Sequence, residues 1–157
     1  MRPKTQLVKI ACDIAAVAKR YKKIHHALFG FSVRRLLQTL QRNKLTDFAA
    51  LQIELDSIAA ESKSIQHAID NADFDLSKQA ETIIAIRDAL KEYAKVVSDA
   101  ALELNLICQN LRRESEGETG FADYSVSQFR CDKIAYDASV QELRRWGTRL
   151  TELFEKF

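Results

Sequence analysis

Apolar residues recur along four segments of the chain at alternating spacings of three and four positions. A period near 3.5 residues that lasts for many turns is typical of long helices that pack side by side and bury one apolar stripe, here called the seam. The first and third segments keep this spacing throughout. Their seam positions are Leu7, Ile10, Ile14, Val17, Tyr21, Ile24, Leu28 and Phe31 in the first segment, and Ile83, Ile86, Leu90, Tyr93, Val97, Ala100, Leu104, Ile107 and Leu111 in the third.

The second and fourth segments follow the same spacing with exceptions. The second, over residues 48–69, has one polar seam position, Ser62. The fourth, over residues 126–154, is broken at Lys133 and Gly147. Its remaining seam positions are Val126, Phe129, Tyr136, Val140, Leu143, Leu150 and Phe154.

Short polar stretches separate the segments and set the expected fold. Thr46 or Asp47 is the expected N-cap of the second helix, and a phase shift beside Gly30 predicts a kink at 30–32 in the first. Short connections force neighbouring helices antiparallel, so we expect an all-α fold: a long antiparallel up-down-up-down four-helix bundle with coiled-coil-like packing, in a single domain over 1–157. The predicted helices cover about 5–42, 47–70, 75–114 and 125–156.

The amino-acid composition agrees with this fold and indicates the cellular compartment. The 157 residues are 46% hydrophobic with four Gly and one Pro, which excludes a disordered chain and a many-stranded β fold. Cys12, Cys108 and Cys131 are far apart, as suits reduced thiols in the cytoplasm. No apolar run reaches the length of a membrane span. Lys9 and Asp13 interrupt the segment that would form a signal peptide, so we expect a cytoplasmic protein.

The net charge of +2 hides an uneven distribution. Residues 1–44 hold eleven Lys or Arg against one acid, whereas residues 45–123 hold seven against sixteen. In the second helix, Asp47, Glu54 and Glu61 are spaced by seven residues beside the seam, where they are expected to face a neighbouring helix. Cations of the first helix fall instead on its outward positions, as a solvated face or a binding surface for an anionic partner. The candidate binding residues there are Lys19, Lys22 and Lys23, followed by Arg34 and Arg35.

A second candidate surface lies near the C-terminus. Trp146 follows Arg144 and Arg145 and precedes Gly147. An aromatic residue among arginines is common at the centre of protein interfaces, although the same tryptophan also suits the core or seam of a bundle. Both interpretations stay open from the sequence.

No arrangement of residues predicts catalysis. His25 and His26 are adjacent and diverge by about 100° on a helix, and none of their neighbours three or four residues away is a metal ligand. No cysteine lies near a histidine in the sequence, and no glycine loop that cradles phosphate occurs. We therefore expect no enzyme activity, no metal and no cofactor.

Residues 26–32, with the sequence HALFGFS, resemble the H-x-L-K-G-x-S signature of histidine phosphotransfer domains, which are also helical bundles. His26, Leu28, Gly30 and Ser32 match the signature, and Phe29 stands where the family has a lysine. The resemblance covers seven of 157 residues. It implies that an outward His26 accepts a phosphoryl group and that Gly30 leaves room for the partner's active site.

The leading hypothesis is a non-catalytic protein-interaction module: an adaptor, a chaperone-like factor or a subunit of a larger assembly. Its partner is expected to be another protein with an acidic surface, bound by the outward basic face of the first helix. Two alternatives are a phosphotransfer relay through His26 and binding of nucleic acid or an anionic membrane surface by the basic first helix. Seams pack within and between chains alike, so a homo-oligomer is left open.

Overall fold

The structure is a computed structural model, and it describes residues 3–29, 47–72, 74, 80–115 and 126–157. These ranges contain four α-helices and no strand. Each helix carries one of the four apolar seams, so the sequence pattern locates all of them. The helices are α1 (Pro3–Phe29), α2 (Phe48–Asp70), α3 (Ala80–Ser115) and α4 (Val126–Glu155).

The observed helix ends match the predicted ones where both are described. α2 begins directly after Asp47, which is its N-cap: the carboxylate accepts a hydrogen bond from the backbone N–H of Ala50 at 3.0 Å. The predicted continuation of the first helix to 42 and its kink at 30–32 lie outside the described residues. The predicted first turn of the third helix, at 75–79, lies outside them as well.

Contacts between helices show that neighbours run antiparallel. Lys91, early in α3, donates to Asp70 at the end of α2 at 2.5 Å. Farther along α3, Asn105 donates to Asp56, which lies earlier in α2, at 2.6 Å. Later residues of α3 thus meet earlier residues of α2.

The pairing of α1 with α4 closes the bundle. Lys4, at the start of α1, donates to the carbonyl of Phe157, just past the end of α4, at 3.1 Å. Near the other end of α1, His25 lies 2.7 Å from the hydroxyl of Tyr136, in the first half of α4. α1 and α4 are therefore antiparallel, and the expected up-down-up-down four-helix bundle is confirmed.

The seams form the core. All nine predicted seam positions of α3 are buried, and so are the seven of α1 that the structure describes. Burying a Leu or Ile side chain fully contributes roughly 1.5–3 kcal/mol, so the shared seam is the main source of stability. Ser62, the polar exception in α2, is buried too. None of the helices within the described ranges is long and apolar enough to cross a membrane.

Candidate interaction surface

The exposed face of α1 carries the basic residues that the sequence singles out. Lys19, Lys22 and Lys23, here called the lysine stripe, are all exposed. Spacings of three and four residues place Lys19 on the same helix face as the other two. Among the residues that the structure describes, no carboxylate forms an ion pair with any of the three.

Arg20, directly beside the stripe in sequence, is engaged with α2 instead. Its Nε lies 2.7 Å from Glu54, and its Nη1 lies 2.6 Å from Glu61. Its Nη2 donates to the hydroxyl of Ser57 at 3.1 Å. The hydrogen bonds to the two carboxylates hold the pKa of the guanidinium above its usual range, and the bond from Arg20 lowers the pKa of Glu61. The prediction that Glu54 and Glu61 face a neighbouring helix is confirmed.

An apolar groove runs beside the stripe, between α1 and α4 and over α3. Its volume is about 630 Å³. Lys19 and Lys22 line it on the α1 side, and Glu155 lines it on the α4 side. Its other lining residues are Ala11, Ile14, Ala15 and Ala18 of α1, Leu90 and Tyr93 of α3, and Gly147, Leu150, Thr151 and Phe154 of α4.

Small residues line parts of both walls of the groove. Alanine on α1 and Gly147 on α4 leave space that larger side chains would fill. Above this space the two helices meet at the pair of Tyr21 and Tyr136, and below it they meet at Lys4 and Phe157. The lysine stripe therefore borders an apolar depression that is closed at both ends by contacts between the helices.

The second predicted surface, around Trp146, is separate from the groove. Trp146 is half-buried and packs against the core, as one of the two sequence interpretations expects. Arg145 is exposed, stacks over the indole ring at 5.4 Å from its centroid, and pairs with Glu142 at 3.0 Å. Arg144 is exposed on the helix face that also carries Gly147. The predicted binding residues Arg34 and Arg35 lie outside the described residues.

A buried polar cluster joins α1 to α4 at one end of the groove. Tyr21 and Tyr136, which are 1% and 0% exposed, share a hydrogen bond between their hydroxyls. The Nδ1 of His25 lies 2.7 Å from the Tyr136 hydroxyl. Among these three groups, both hydroxyl hydrogens find an acceptor only if Tyr21 donates to Tyr136 and Tyr136 donates to a neutral His25.

The electrostatics of this cluster favour neutral groups. Burial raises the pKa of Tyr21 to about 12, and it raises the pKa of Tyr136 as well. Burial is also the largest cause that lowers the pKa of His25, and the positive charges of Lys133 and Arg144 act in the same direction. The cluster is thus a neutral hydrogen-bonded chain that fixes the register of α1 against α4.

Aromatic and cationic groups cover this cluster. The ring of Phe29 lies 5.5 Å from those of His25 and Tyr136, measured between centroids. Lys133 lies 4.8 Å from the centroid of the Phe29 ring and pairs with Asp137. A lysine can occupy a seam position here because its ammonium reaches a carboxylate while its stem packs on the rings.

The two adjacent histidines differ in their surroundings. His25 is half-buried and hydrogen-bonded to Tyr136, whereas His26, the phosphoacceptor that the resemblance implies, is exposed. Of the residues that match the phosphotransfer signature, Leu28 is buried. Gly30 and Ser32 lie outside the described residues.

Sequence reasoning missed both the polar cluster and the groove. The available signal for the cluster was a pair of tyrosines at seam positions, Tyr21 and Tyr136, because a buried phenol needs a hydrogen-bond partner. The available signal for the groove was the run of alanines on α1 together with Gly147 at a seam position of α4.

Among the residues that the structure describes, no arrangement of side chains by itself identifies a chemistry. Within the described ranges, no group of three His, Cys, Asp or Glu residues could hold a metal ion. Comparison of the chain with models of protein families, with curated proteins and with solved structures finds no match. The function is therefore inferred from the lysine stripe, the groove and the polar cluster.

Proposed function

We propose that this protein is a non-catalytic interaction module that binds another protein through the lysine stripe of α1. The observation that carries the proposal is the contrast between neighbouring cations. Arg20 is neutralised by Glu54 and Glu61 of its own bundle. Lys19 and Lys22, on either side of it, have no ion-pair partner among the described residues, and they border an apolar groove.

A protein partner suits this surface better than a nucleic acid or a membrane. Dedicated nucleic-acid-binding domains carry a large excess of positive charge, whereas this chain has a net charge of +2. Membrane-surface binding by α1 would need its apolar seam, which is buried against the other helices. An acidic protein surface with apolar side chains matches both the lysines and the groove.

A cytoplasmic location belongs to the same proposal. Cys12, Cys108 and Cys131 are all free thiols. Free thiols persist where the surroundings are reducing, which supports the cytoplasm. An adaptor or a subunit of a larger assembly would meet its partner there.

The test is quantitative affinity capture from the native host with the full chain as bait. The triple variant Lys19→Glu, Lys22→Glu and Lys23→Glu is compared with the wild type. We expect the wild type to retain a stoichiometric protein that the variant captures at least tenfold less, since the charge of the stripe is reversed. Capture should also weaken as salt is raised, because exposed charges are screened.

A matched control separates the stripe from overall charge. Lys63, Lys95 and Arg130 are exposed and belong neither to the stripe nor to the groove lining, so replacing these three with Glu changes the net charge equally. The control should capture the partner as the wild type does. Unchanged capture by the stripe variant, or equal loss in the control, would refute the proposal. Recovery of nucleic acid instead of a protein, read from the absorbance ratio at 260 and 280 nm, would do so as well.

A phosphotransfer relay through His26 is the second candidate function. Its specific support is that His26 is exposed while the adjacent His25 is half-buried and hydrogen-bonded. Lys22, one helical turn before His26, would stabilise the added negative charge. Incubation with acetyl phosphate should then give an acid-labile phosphate that is absent from the variant His26→Gln. A chain that takes up no label would exclude the relay from this donor class.

A further inference from the structure

We propose that the groove between α1 and α4 binds one amphipathic helix of the partner protein, with acidic side chains along the flank that faces α1. This inference rests on the proposed function, because Lys19 and Lys22 belong to both surfaces. It adds the form of the partner: an α-helix that lies along the groove and acts as a fifth helix of the bundle.

The shape of the groove suits a helix. Its α1 wall extends from Ala11 to Lys22, which is about 16 Å at about 1.5 Å per residue, or three helical turns. The walls carry small residues, with Ala15 on α1 and Gly147 on α4. Small residues allow another helix to approach at the short end of the usual 8–10 Å separation between helix axes.

The lining provides apolar contacts with few polar groups. Leu90 and Tyr93 of α3 line it between the walls, and Leu150 and Phe154 line the α4 side. A helix that presents apolar side chains three and four residues apart would place them against this surface.

The charged residues of the groove favour a partner helix of opposite charge. Lys19 and Lys22 line the α1 wall at the end nearest the tyrosine cluster. Glu155 lines the opposite end, near the contact between Lys4 and Phe157. The two lysines therefore favour a helix with Asp or Glu on the flank that faces α1.

The test uses a displayed library of 18-residue amphipathic helices, with leucines fixed at seam spacing and the flanking positions randomised between Glu, Lys and Gln. The full chain is the target. We expect selected peptides to be enriched in Glu on one flank, and to bind at least tenfold more tightly than twins with Lys at those positions. On binding, the amide signal of Gly147 should shift in NMR spectra, where the four glycines of the chain give few signals in that region.

Matched substitutions locate the binding site. Ala15 and Ala16 are both exposed on α1, but only Ala15 lines the groove. Ala15→Trp should fill the groove and weaken binding of the selected peptide at least tenfold, whereas Ala16→Trp should leave it unchanged. Equal effects of the two, failure to select any peptide, or selection of basic peptides would overturn the inference.

The outcomes also separate this inference from the proposed function. If reversal of the lysine stripe abolishes capture of the host protein while Ala15→Trp does not, the stripe is the binding surface and the groove inference is wrong. If Ala15→Trp abolishes capture while reversal of the stripe has no effect, both are wrong as stated. Self-association of the wild-type chain that Ala15→Trp removes would assign the groove to a second copy and would also overturn the inference.

Discussion

Replacing Tyr136 with phenylalanine is expected to destabilise the bundle more than the same change at Tyr21, although both hydroxyls are buried. Tyr136 stands in the middle of the hydrogen-bonded chain, between Tyr21 and His25. Its loss leaves the Tyr21 hydroxyl without an acceptor in a residue that is 1% exposed. Loss of the Tyr21 hydroxyl leaves Tyr136 still bonded to His25.

The structure sets the size of the difference. A buried polar group left without a partner costs about 1–3 kcal/mol, and a satisfied neutral hydrogen bond contributes about 1 kcal/mol net. Phenylalanine keeps the ring and its packing in both variants. We therefore expect Tyr136→Phe to lower the free energy of unfolding by about 2 kcal/mol and Tyr21→Phe to lower it by about 1 kcal/mol.

The double variant gives the sharper result. In the background of Tyr136→Phe, the change Tyr21→Phe removes a buried hydroxyl that has lost its acceptor, so it should raise the free energy of unfolding by about 1 kcal/mol. The same change lowers stability in the wild type. A reversal of sign between two backgrounds is a coupling between residues in direct contact, which a double-mutant cycle measures.

Urea denaturation of the four proteins, followed by circular dichroism at 222 nm, provides the free energies of unfolding. If the effects of Tyr21→Phe and Tyr136→Phe add within about 0.5 kcal/mol, the two hydroxyls are not coupled and the hydrogen-bonded chain does not exist in solution. If Tyr21→Phe costs more than Tyr136→Phe, the direction of donation assigned above is wrong.

Substitutions at Arg20, at the two adjacent histidines and at Gly147 test other parts of the structure. Arg20→Ala should lower the free energy of unfolding by about 1 kcal/mol. Arg20→Lys should recover less than half of that loss, because one ammonium cannot reach Glu54, Glu61 and Ser57 together. Full recovery of the free energy in urea denaturation would contradict this. His25 has a pKa below its ordinary 6.5, so the unfolded chain binds more protons and the free energy of unfolding should fall as pH drops through 6.5 towards 5. His25→Gln should flatten this slope, whereas His26→Gln should reduce it only in part, because burial is a larger cause of the lowered pKa of His25 than the neighbouring His26. A slope that survives in His25→Gln would assign it to another group. Gly147→Ala should stabilise α4 by about 1 kcal/mol, because alanine favours the helix more than glycine does. The new Cβ would lie 3.5 Å from Tyr93, which is an ordinary contact. A lower melting temperature of the variant would show that α4 packs more closely there.

The heptad pattern predicts the fold well because burial and helical period are properties of single segments. A helix with one apolar stripe has one way to bury it, and the described seam residues of α1 and α3 are buried without exception. The orientation of Glu54 and Glu61 towards a neighbouring helix was predictable for the same reason, since flank positions next to a seam face a neighbouring helix. Asp47 as an N-cap follows from local chemistry alone.

The polar cluster and the groove depend on register between helices, which the pattern does not determine. A shift of α4 by one heptad, about 10 Å, would keep its seam buried and separate Tyr136 from both Tyr21 and His25. The sequence does mark the places where regular packing ends. Lys133 breaks the fourth seam beside the cluster, and Gly147 breaks it at the groove.

The way α1 is attached has a consequence for the order in which the bundle assembles. The contacts of α1 with α4 join residues at least 104 positions apart, as for Phe29 and Lys133. Lys91 and Asp70, which join α3 to α2, are 21 apart, and Arg20 and Glu54, which join α1 to α2, are 34 apart. Closing a longer loop costs more chain entropy, so contacts near in sequence form sooner. The contacts between α1 and α4 are then the last to form and the first to open. Because α1 and α4 form the two walls of the groove, whatever occupies the groove would hold these contacts closed and slow the exchange of the nearby amides with solvent.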